Sequence, residues 1–267
     1  MRDPIRCFQG EAKYGEPFWK VQNAVQGTPE IEFKGPISEF VMLDEQTLVR
    51  MADVFKTDLN NAGQGGPVTV RVNSPGGDIF AASALRAVML DYPGEITTRV
   101  DTVCGSCATY LLTAGKYTVM LDTSFVAIHD PYFDVFFAQI DIATGQQLVD
   151  QLKTFKDGIL GAYESRTGMS RDRLAKMMTA TTWMSARDAL QFGFADEILI
   201  PGKQSTPMVE KSFAQNLMTY YGNIPVEVMN MVELIEPPTP PVDEVFERAV
   251  ETLRDTLTLH NMQKETL

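Results

Sequence analysis

Apolar positions along most of the chain change between strand-like and helix-like spacing. Residues from Ile31 lead as a strand into Gly35-Pro36, and Val68 to Val72 alternates as a half-buried strand does. Apolar residues from Leu43 to Phe55 recur at helical spacing, and residues 60–67 form a predicted Gly-rich loop. Further strands are predicted over 96–103, 117–121, 125–128 and 197–200, and helices over 80–91, 106–114, 146–168, from Ser170, and from Ser185 to Gly193. Strands that alternate with helices need crossover connections, so the pattern predicts an α/β fold.

The pattern also divides the chain into four segments. Residues 1–28 are mixed and turn-rich and are predicted to form a terminal arm, and residues 29–201 form the predicted main domain. Residues 202–241 form an extension that ends in a stiff Pro-rich spacer, Pro237 to Pro241. Residues 242–267 carry one amphipathic helix. Its single apolar stripe needs a partner, either the protein's own core or another subunit.

Composition narrows the classes of partner. Among 267 residues, 35 are acidic and 23 are basic, which argues against nucleic acid or an anionic membrane surface as a main partner. No apolar run approaches the ~20 residues that span a bilayer. Residues 1–4 lack the apolar segment of a secretory signal. Three cysteines do not form a disulfide framework. We therefore expect a soluble, cytoplasmic protein in a reducing compartment.

Three features occur in order that together fit acyl-transfer chemistry. Asn73-Ser74-Pro75-Gly76-Gly77 follows a strand and turns sharply, so that glycine backbone N–H groups can face a carbonyl oxygen. Ser106 follows the next strand and opens a helix, where the N–H of Cys107 is unpaired. His129 ends a later strand and is one of only two histidines. Such a set supplies an oxyanion-binding backbone, a nucleophile and a base.

Each feature has an ordinary explanation when it stands alone. A Ser-Pro-Gly-Gly segment can be a simple strand-to-helix turn, and a serine at a helix start is usually a cap. A lone histidine at the end of an apolar strand is more often structural than catalytic. The combination in one ordered sequence favours the catalytic interpretation.

These motifs resemble those of the ClpP family of serine peptidases, the proteolytic subunit of Clp protease, and particularly its phage-encoded relatives that process capsid proteins. The resemblance covers about residues 31–200. The residues that carry it are Asn73 to Gly77, Gly105-Ser106, Ala114-Gly115, Ile128 to Pro131, Trp183 to Ala186, Ala189, Gly193 and Asp196. It implies a ClpP/crotonase-like β/α superhelix with a long handle helix at 146–166, followed here by the C-terminal helical extension.

The resemblance also implies site residues and partners. Ser106 is the expected nucleophile, His129 the general base, and the N–H groups of Gly77 and Cys107 the oxyanion hole. We expect Gly76, Asp78 and Tyr132 to contact substrate. The implied partners are a homo-oligomeric ring, in single or stacked form, and a protein substrate such as a capsid or scaffold protein.

No cofactor or metal is expected. The chain has no phosphate-binding Gly-x-x-x-x-Gly-Lys loop, so any ATP dependence comes from a separate unfoldase. Cys104 and Cys107 lack the second pair of ligands that a zinc site needs.

The sequence departs from the family at the third triad position. Counting back from Ser185 gives Thr181, where the family usually carries an acidic residue. A threonine hydroxyl can accept the imidazole N–H but does not stabilise the imidazolium by charge. Losing that carboxylate costs a serine protease about 10⁴ in turnover. Three outcomes stay open: a slow Ser–His dyad, replacement by a carboxylate such as Asp130 or Asp172, or activity only on assembly.

Three other functions compete with the peptidase. Cys104-Gly105-Ser106-Cys107 is a Cys-x-x-Cys between a strand and a helix, which is typical of a disulfide oxidoreductase. That function leaves the glycine turn and His129 without a role. Acyl-CoA chemistry on a crotonase fold uses similar backbone donors, but the chain offers no evident basic pocket for CoA phosphate. A non-catalytic assembly protein fits Thr181 and the tail helix.

Overall fold

The fold is taken from a computed structural model, which describes residues 18–22, 27–38, 40–42, 48–133, 139–200, 217–218, 221 and 224–229. All of them belong to one compact unit, residues 1–232, and a second unit spans residues 233–267. The strands are β1 (Trp19–Gln22), β2 (Glu30–Lys34), β3 (Phe40–Met42), β4 (Leu48–Arg50), β5 (Val68–Asn73), β6 (Ile96–Val100), β7 (Val103–Gly105), β8 (Tyr117–Leu121), β9 (Phe125–Ile128), β10 (Thr182–Ser185) and β11 (Glu197–Leu199). The α-helices are α1 (Met51–Gly63), α2 (Ile79–Asp91), α3 (Thr109–Leu112), α4 (Ile142–Thr167), α5 (Arg171–Thr179), α6 (Ala186–Gln191) and α7 (Val226–Met229), and Ser106–Ala108 forms a 3₁₀ turn.

A six-stranded sheet forms the centre of the molecule, in the order β1-β2-β5-β6-β8-β11. Only the β1–β2 pair is antiparallel, and the other neighbours are parallel. Helix α1 precedes β5, and helix α2 connects β5 to β6. The two helices pack against one another. Val68, Val70 and Val72 of β5 are buried, as alternation along this strand predicted. The α/β class predicted from the sequence is therefore confirmed.

A second, three-stranded sheet has the order β10-β9-β7. The single strand predicted over 96–103 is wrong, because the chain breaks at Asp101–Thr102 and β7 pairs with β9 instead of continuing β6. Asn73 explains the break: its Oδ1 accepts hydrogen bonds from the backbone N–H groups of Asp101 and Thr102, both at 3.1 Å. The break directs the chain that follows, with Ser106, away from the main sheet.

Several element boundaries differ from the prediction. Residues 48–50 form β4, which pairs with β3, so the helix predicted from Leu43 begins only at Met51. Helix α1 then continues to Gly63, inside the predicted loop. The long helix α4 begins at Ile142, where Asp141 caps it by accepting from the N–H of Thr144. Predictions for α2, β8, β9 and the capping box at Ser185 agree with the structure.

The ends of the described region belong to the folded unit. Strand β1 lies within the segment predicted as a terminal arm and pairs with β2. Leu217, Tyr221 and Val228 from the predicted extension are buried against Val103 and Ala127 of the second sheet. The Pro-rich spacer and the helix predicted over 242–267 lie outside the described residues. Within the described ranges, no helix combines the length and the apolar character that crossing a membrane requires.

Candidate active site

Ser106 lies at the junction between β7 and the 3₁₀ turn that precedes α3. Its backbone φ is +52°, a left-handed value that a non-glycine residue rarely adopts. The hydroxyl of Thr109 donates to the Ser106 carbonyl at 2.5 Å and holds this turn. Strain of this kind is typical of functional positions, and a sharp strand-to-helix turn presents a nucleophilic hydroxyl outside the sheet.

The glycine turn lies directly beside Ser106. The N–H of Ser74 donates to the carbonyl of Val103, and the N–H of Gly105 donates back to Ser74, both at 2.9 Å. These bonds attach the turn to β7. A Cβ atom on Gly76 would lie 2.5 Å from Ser106 Cβ and 3.1 Å from Ser106 Oγ. Only a glycine fits there, so the predicted proximity of the turn to the nucleophile is present in the structure.

Cys107 lies beside the chain that follows the glycine turn, because its thiol donates to the carbonyl of Asp78 at 3.6 Å. Burial raises the pKa of this thiol, and so does the charge of Asp78, whereas the backbone N–H groups of Gly77 and of Cys107 itself oppose that rise. Asp78 also caps α2 by accepting from the N–H of Ala81 at 2.8 Å. Its carboxylate thus has a structural role beside the expected substrate site.

His129 follows β9, and its two ring nitrogens have different surroundings. Nδ1 lies 2.6 Å from the carbonyl oxygen of Asp130. A carbonyl only accepts, so Nδ1 carries the proton and Nε2 offers a lone pair, which is the tautomer that a general base needs. Nε2 is buried and has no hydrogen-bond partner among the described residues, so a bond from Ser106 is not formed.

The pKa of His129 is lowered from its ordinary value, chiefly because the ring is desolvated by burial. The carbonyl hydrogen bond and the negative charge of Asp130 partly oppose this effect. The imidazole is consequently neutral at pH 7 and able to accept a proton.

Thr181 does not orient His129 in this structure. Strand β10 pairs with β9 so that Thr182 lies opposite Ile128, which brings Thr181 to the level of His129. Thr181 is exposed, with φ of +51°, and within the described ranges its side chain makes no hydrogen bond. The Asp130 carbonyl occupies the role predicted for the Thr181 hydroxyl.

The carboxylates considered as replacements face elsewhere. Asp130 forms an ion pair with Lys156 of α4 at 2.6 Å, and its other oxygen accepts from the Thr179 hydroxyl at 2.9 Å. The Asp130 side chain thus links the loop after His129 to α4 and α5, while its charge still acts on the imidazole. Asp172 is exposed in the first turn of α5.

Two tyrosines contact the imidazole ring. Tyr132, one of the expected substrate residues, lies with its ring centroid 5.6 Å from that of His129. Tyr221 meets the same imidazole edge-on at 5.5 Å. Sequence reasoning missed Tyr221, because the segment around it shows no hydrophobic period and precedes a spacer. Residues 134–138, which include the aromatic pair Phe136-Phe137, lie outside the described residues.

Redox chemistry at the Cys-x-x-Cys is not supported. Cys104 and Cys107 are both buried, and burial raises the pKa of both thiols. A redox pair needs a partly exposed thiol with a lowered pKa. In the part of the chain that the structure describes, no group of three His, Cys, Asp or Glu side chains is arranged to hold a metal ion.

Fold and site together define a class: an α/β protein in which a strained serine and a neutral histidine follow the neighbouring parallel strands β7 and β9, with a glycine turn beside the serine. A family model described as Clp protease matches residues 41–201, more than half of the chain. The chain therefore belongs to the Clp protease family, and the resemblance to this family that the motifs carry is confirmed.

Individual relatives agree with this assignment. The proteolytic subunit 2 of an ATP-dependent Clp protease from Thermobifida fusca is 30% identical over 136 residues, 49% of this chain and 64% of that subunit. The chain thus spans slightly less than two thirds of this curated relative. Proteolytic subunit 1 from Chlamydia trachomatis is 27% identical over 197 residues, 69% of this chain and 95% of that subunit.

A solved structure supports the fold. A mutant ClpP1 from Listeria monocytogenes superposes with a TM-score of 0.54 at 16% identity, covering 64% of this chain and 91% of that one. The ClpP-like fold class expected from the resemblance is confirmed.

Proposed function

We propose that this protein is a serine endopeptidase that cleaves protein substrates through an acyl-enzyme on Ser106. The observation that carries the proposal is the pair formed by strained Ser106 beside Gly76 and His129 with its Nδ1 proton fixed on the Asp130 carbonyl. Family membership agrees with it.

The steps follow from the groups present. Ser106 Oγ attacks the peptide carbonyl while its proton moves to His129 Nε2, and the N–H groups of Gly77 and Cys107 bind the developing oxyanion. His129 then returns the proton to the leaving amine, and water releases the acyl group by the same route. Because Nε2 has no partner among the described residues, Ser106 and His129 must first move together. Catalytic hydrogen bonds commonly tighten only in the substrate complex.

The test is cleavage of casein and of short peptides by the Ser106→Ala variant. We expect a loss of at least about 10³-fold. Ser165→Ala is the matched control, since Ser165 is an exposed serine on α4, and it retains activity. Unchanged cleavage by Ser106→Ala would overturn the proposal.

We propose that the chain assembles into a homo-oligomeric ring, single or stacked, and receives substrates unfolded by a separate ATP-dependent unfoldase. Curated relatives carry the description ATP-dependent Clp protease, which supports this partner. We also propose a cytoplasmic location, in the host cytoplasm or a capsid precursor for a phage-encoded protein, in keeping with three cysteines that do not form a disulfide framework. Native mass spectrometry tests the ring: a monomer at micromolar concentration would contradict it.

The proposed biological role is phage or prophage capsid maturation, with a capsid or scaffold protein as substrate. The motif resemblance to phage relatives and the extension after residue 201 support this role. Incubation with phage capsid and scaffold proteins should yield a truncated product that Ser106→Ala does not form, and proteins that all stay intact would contradict the role.

A catalytically weak assembly protein is the second candidate. The unpartnered Nε2 and the lack of a carboxylate on Nδ1 favour it. Ring assembly together with unchanged self-processing and casein cleavage in Ser106→Ala would favour it over the peptidase.

A further inference from the structure

Tyr221 is buried at the centre of the candidate site, although it comes from the segment after the main domain. It is 3% exposed, and its hydroxyl donates to the carbonyl of Pro75 in the glycine turn at 3.1 Å. Its ring lies edge-on to His129 at 5.5 Å and to Trp183 at 4.9 Å. One side chain therefore contacts the turn, the proposed base and β10 at once.

Gly105 makes room for the phenol. A Cβ atom on this residue would lie 2.2 Å from the Tyr221 hydroxyl oxygen. Gly105 is bonded directly to Ser106, so the phenol lies one residue from the nucleophile. The space that the Tyr221 phenol occupies is therefore within reach of a peptide held for attack by Ser106. We expect it to receive the substrate side chain next to the scissile carbonyl.

The surroundings of the ring suit a tyrosine. Val103 and Ala127 form an apolar floor, and Trp183 and His129 form aromatic walls. The Pro75 carbonyl supplies one acceptor at the end of the pocket. A phenol packs its ring against the apolar and aromatic side chains and donates its hydroxyl hydrogen to the single acceptor. A smaller side chain loses part of the packing, and a purely apolar side chain leaves the Pro75 carbonyl without a donor.

The burial of His129 is what we expect if Tyr221 occupies a pocket that is open when the site works. His129 Nε2 is inaccessible to water and unpartnered within the described residues, while a working base must reach both the serine hydroxyl and the water that releases the acyl group. Among the described residues, the rings of Tyr132 and Tyr221 both pack on the imidazole.

We propose that the pocket between Gly105, Pro75, His129 and Trp183 binds a tyrosine side chain of the substrate, and that Tyr221 fills it in this structure, so that Tyr221 inhibits the site from within the chain. The inference rests on the proposed peptidase function. It names the substrate class, a peptide with tyrosine on the acyl side of the scissile bond.

The first experiment measures how fast a fluorophosphonate labels Ser106 in the full-length protein and in Tyr221→Ala. We expect labelling to be at least about tenfold faster in the variant, because the competing occupant is gone. Adding p-cresol, which refills the pocket, should slow the variant again. Toluene, which lacks the hydroxyl, should slow it less, and the unmutated protein should respond to both more weakly than the variant, because each must displace Tyr221. Equal labelling rates, or no response to p-cresol, would overturn the inference.

The second experiment does not depend on whether Tyr221→Ala folds. The unmutated protein is given matched peptides with Tyr, Phe or Ala on the acyl side of the scissile bond, and kcat/KM is compared. Tyrosine should be preferred over phenylalanine, and both over alanine, and equal values for Tyr and Ala would overturn the inference. If neither protein is labelled at Ser106 and no peptide is cut, the peptidase function itself fails.

Discussion

Ser106, the proposed nucleophile, and His129, the proposed base, are held in very different ways. Ser106 follows a strand that is bonded to the glycine turn on one side and to β9 on the other. The Ser106 side chain and the Gly105 carbonyl lie so close to Gly76 that no space is left even for a methyl group on this glycine. His129 instead ends a strand. The Asp130 carbonyl holds its Nδ1, the rings of Tyr132 and Tyr221 pack on the imidazole, and side chains of α4 and α5 bind the Asp130 carboxylate.

This difference indicates where the activity is controlled. Backbone geometry around Ser106 has one arrangement, and disturbing it removes the site. The Asp130 carbonyl sets the tautomer of His129, but the tyrosine rings packed on the imidazole are rotatable side chains, so they adjust its pKa and its accessibility. We call Ser106 with the glycine turn the nucleophile side, and His129 with Asp130 and the side chains around them the base side. We expect substitutions on the nucleophile side to abolish activity and those on the base side to change it by smaller amounts.

Among changes to the surroundings of Ser106 and His129, the largest effect is expected from Gly76→Ala. The new Cβ would lie 2.5 Å from Ser106 Cβ, and φ of +109° strains any side chain at this position. A displacement of this size costs about 10²-fold or more in kcat/KM. Gly161→Ala is the matched control, because a Cβ there meets nothing within 4 Å. Peptide hydrolysis by both variants, with circular dichroism to verify folding, checks the prediction; similar activities would contradict it.

The pH profile tests the base side. Burial lowers the pKa of His129, so the proton is taken up only at a pH below its ordinary value of 6.5. The acid limb of kcat/KM should therefore have its midpoint below 6.5, and each further pH unit should cost about tenfold. A profile that stays flat from pH 5 to 8 would exclude a histidine base. In Tyr221→Ala the midpoint should rise, since the ring is less desolvated.

Lys156→Met should have a smaller effect. It breaks the ion pair with Asp130 and removes a positive charge near the loop that holds His129. We expect kcat to fall by about threefold, and the acid limb to move to higher pH because less positive charge favours the imidazolium. Lys156→Arg should restore most of the activity. Lys153→Met is the control, since Lys153 pairs with exposed Asp150 on the same helix; an equal effect from both lysines would contradict the positioning role.

Thr181→Ala should have the smallest effect. The Asp130 carbonyl already holds the Nδ1 proton, and the Thr181 side chain makes no hydrogen bond within the described ranges. A change in kcat/KM of less than about twofold is expected. A loss of 10²-fold or more would show that Thr181 orients the imidazole when substrate is bound.

The sequence predicted the nucleophile side well, because that side is local. Periodicity placed β5 and α2 on either side of the Ser-Pro-Gly-Gly turn, and glycines are visible markers of tight backbone approach. It did not show that residues 96–105 belong to two sheets, since the break depends on Asn73, which lies far away in the chain.

The base side was much harder to predict. The Asp130 carbonyl is a backbone group that every residue carries, so no residue type marks it as the partner of His129. Lys156 and Thr179 reach Asp130 across two helices, and Tyr221 arrives from a segment without a hydrophobic period. Contacts of this kind depend on tertiary packing, which spacing along one sequence does not reveal.

The most direct test of the central claim is covalent labelling with a fluorophosphonate, followed by mass spectrometry of the labelled peptide. The modification should fall on Ser106 alone and should slow by at least about 10²-fold in His129→Ala, since the hydroxyl then lacks its base. Labelling at another residue, or an equal rate in His129→Ala, would contradict the assignment of Ser106 and His129 as nucleophile and base.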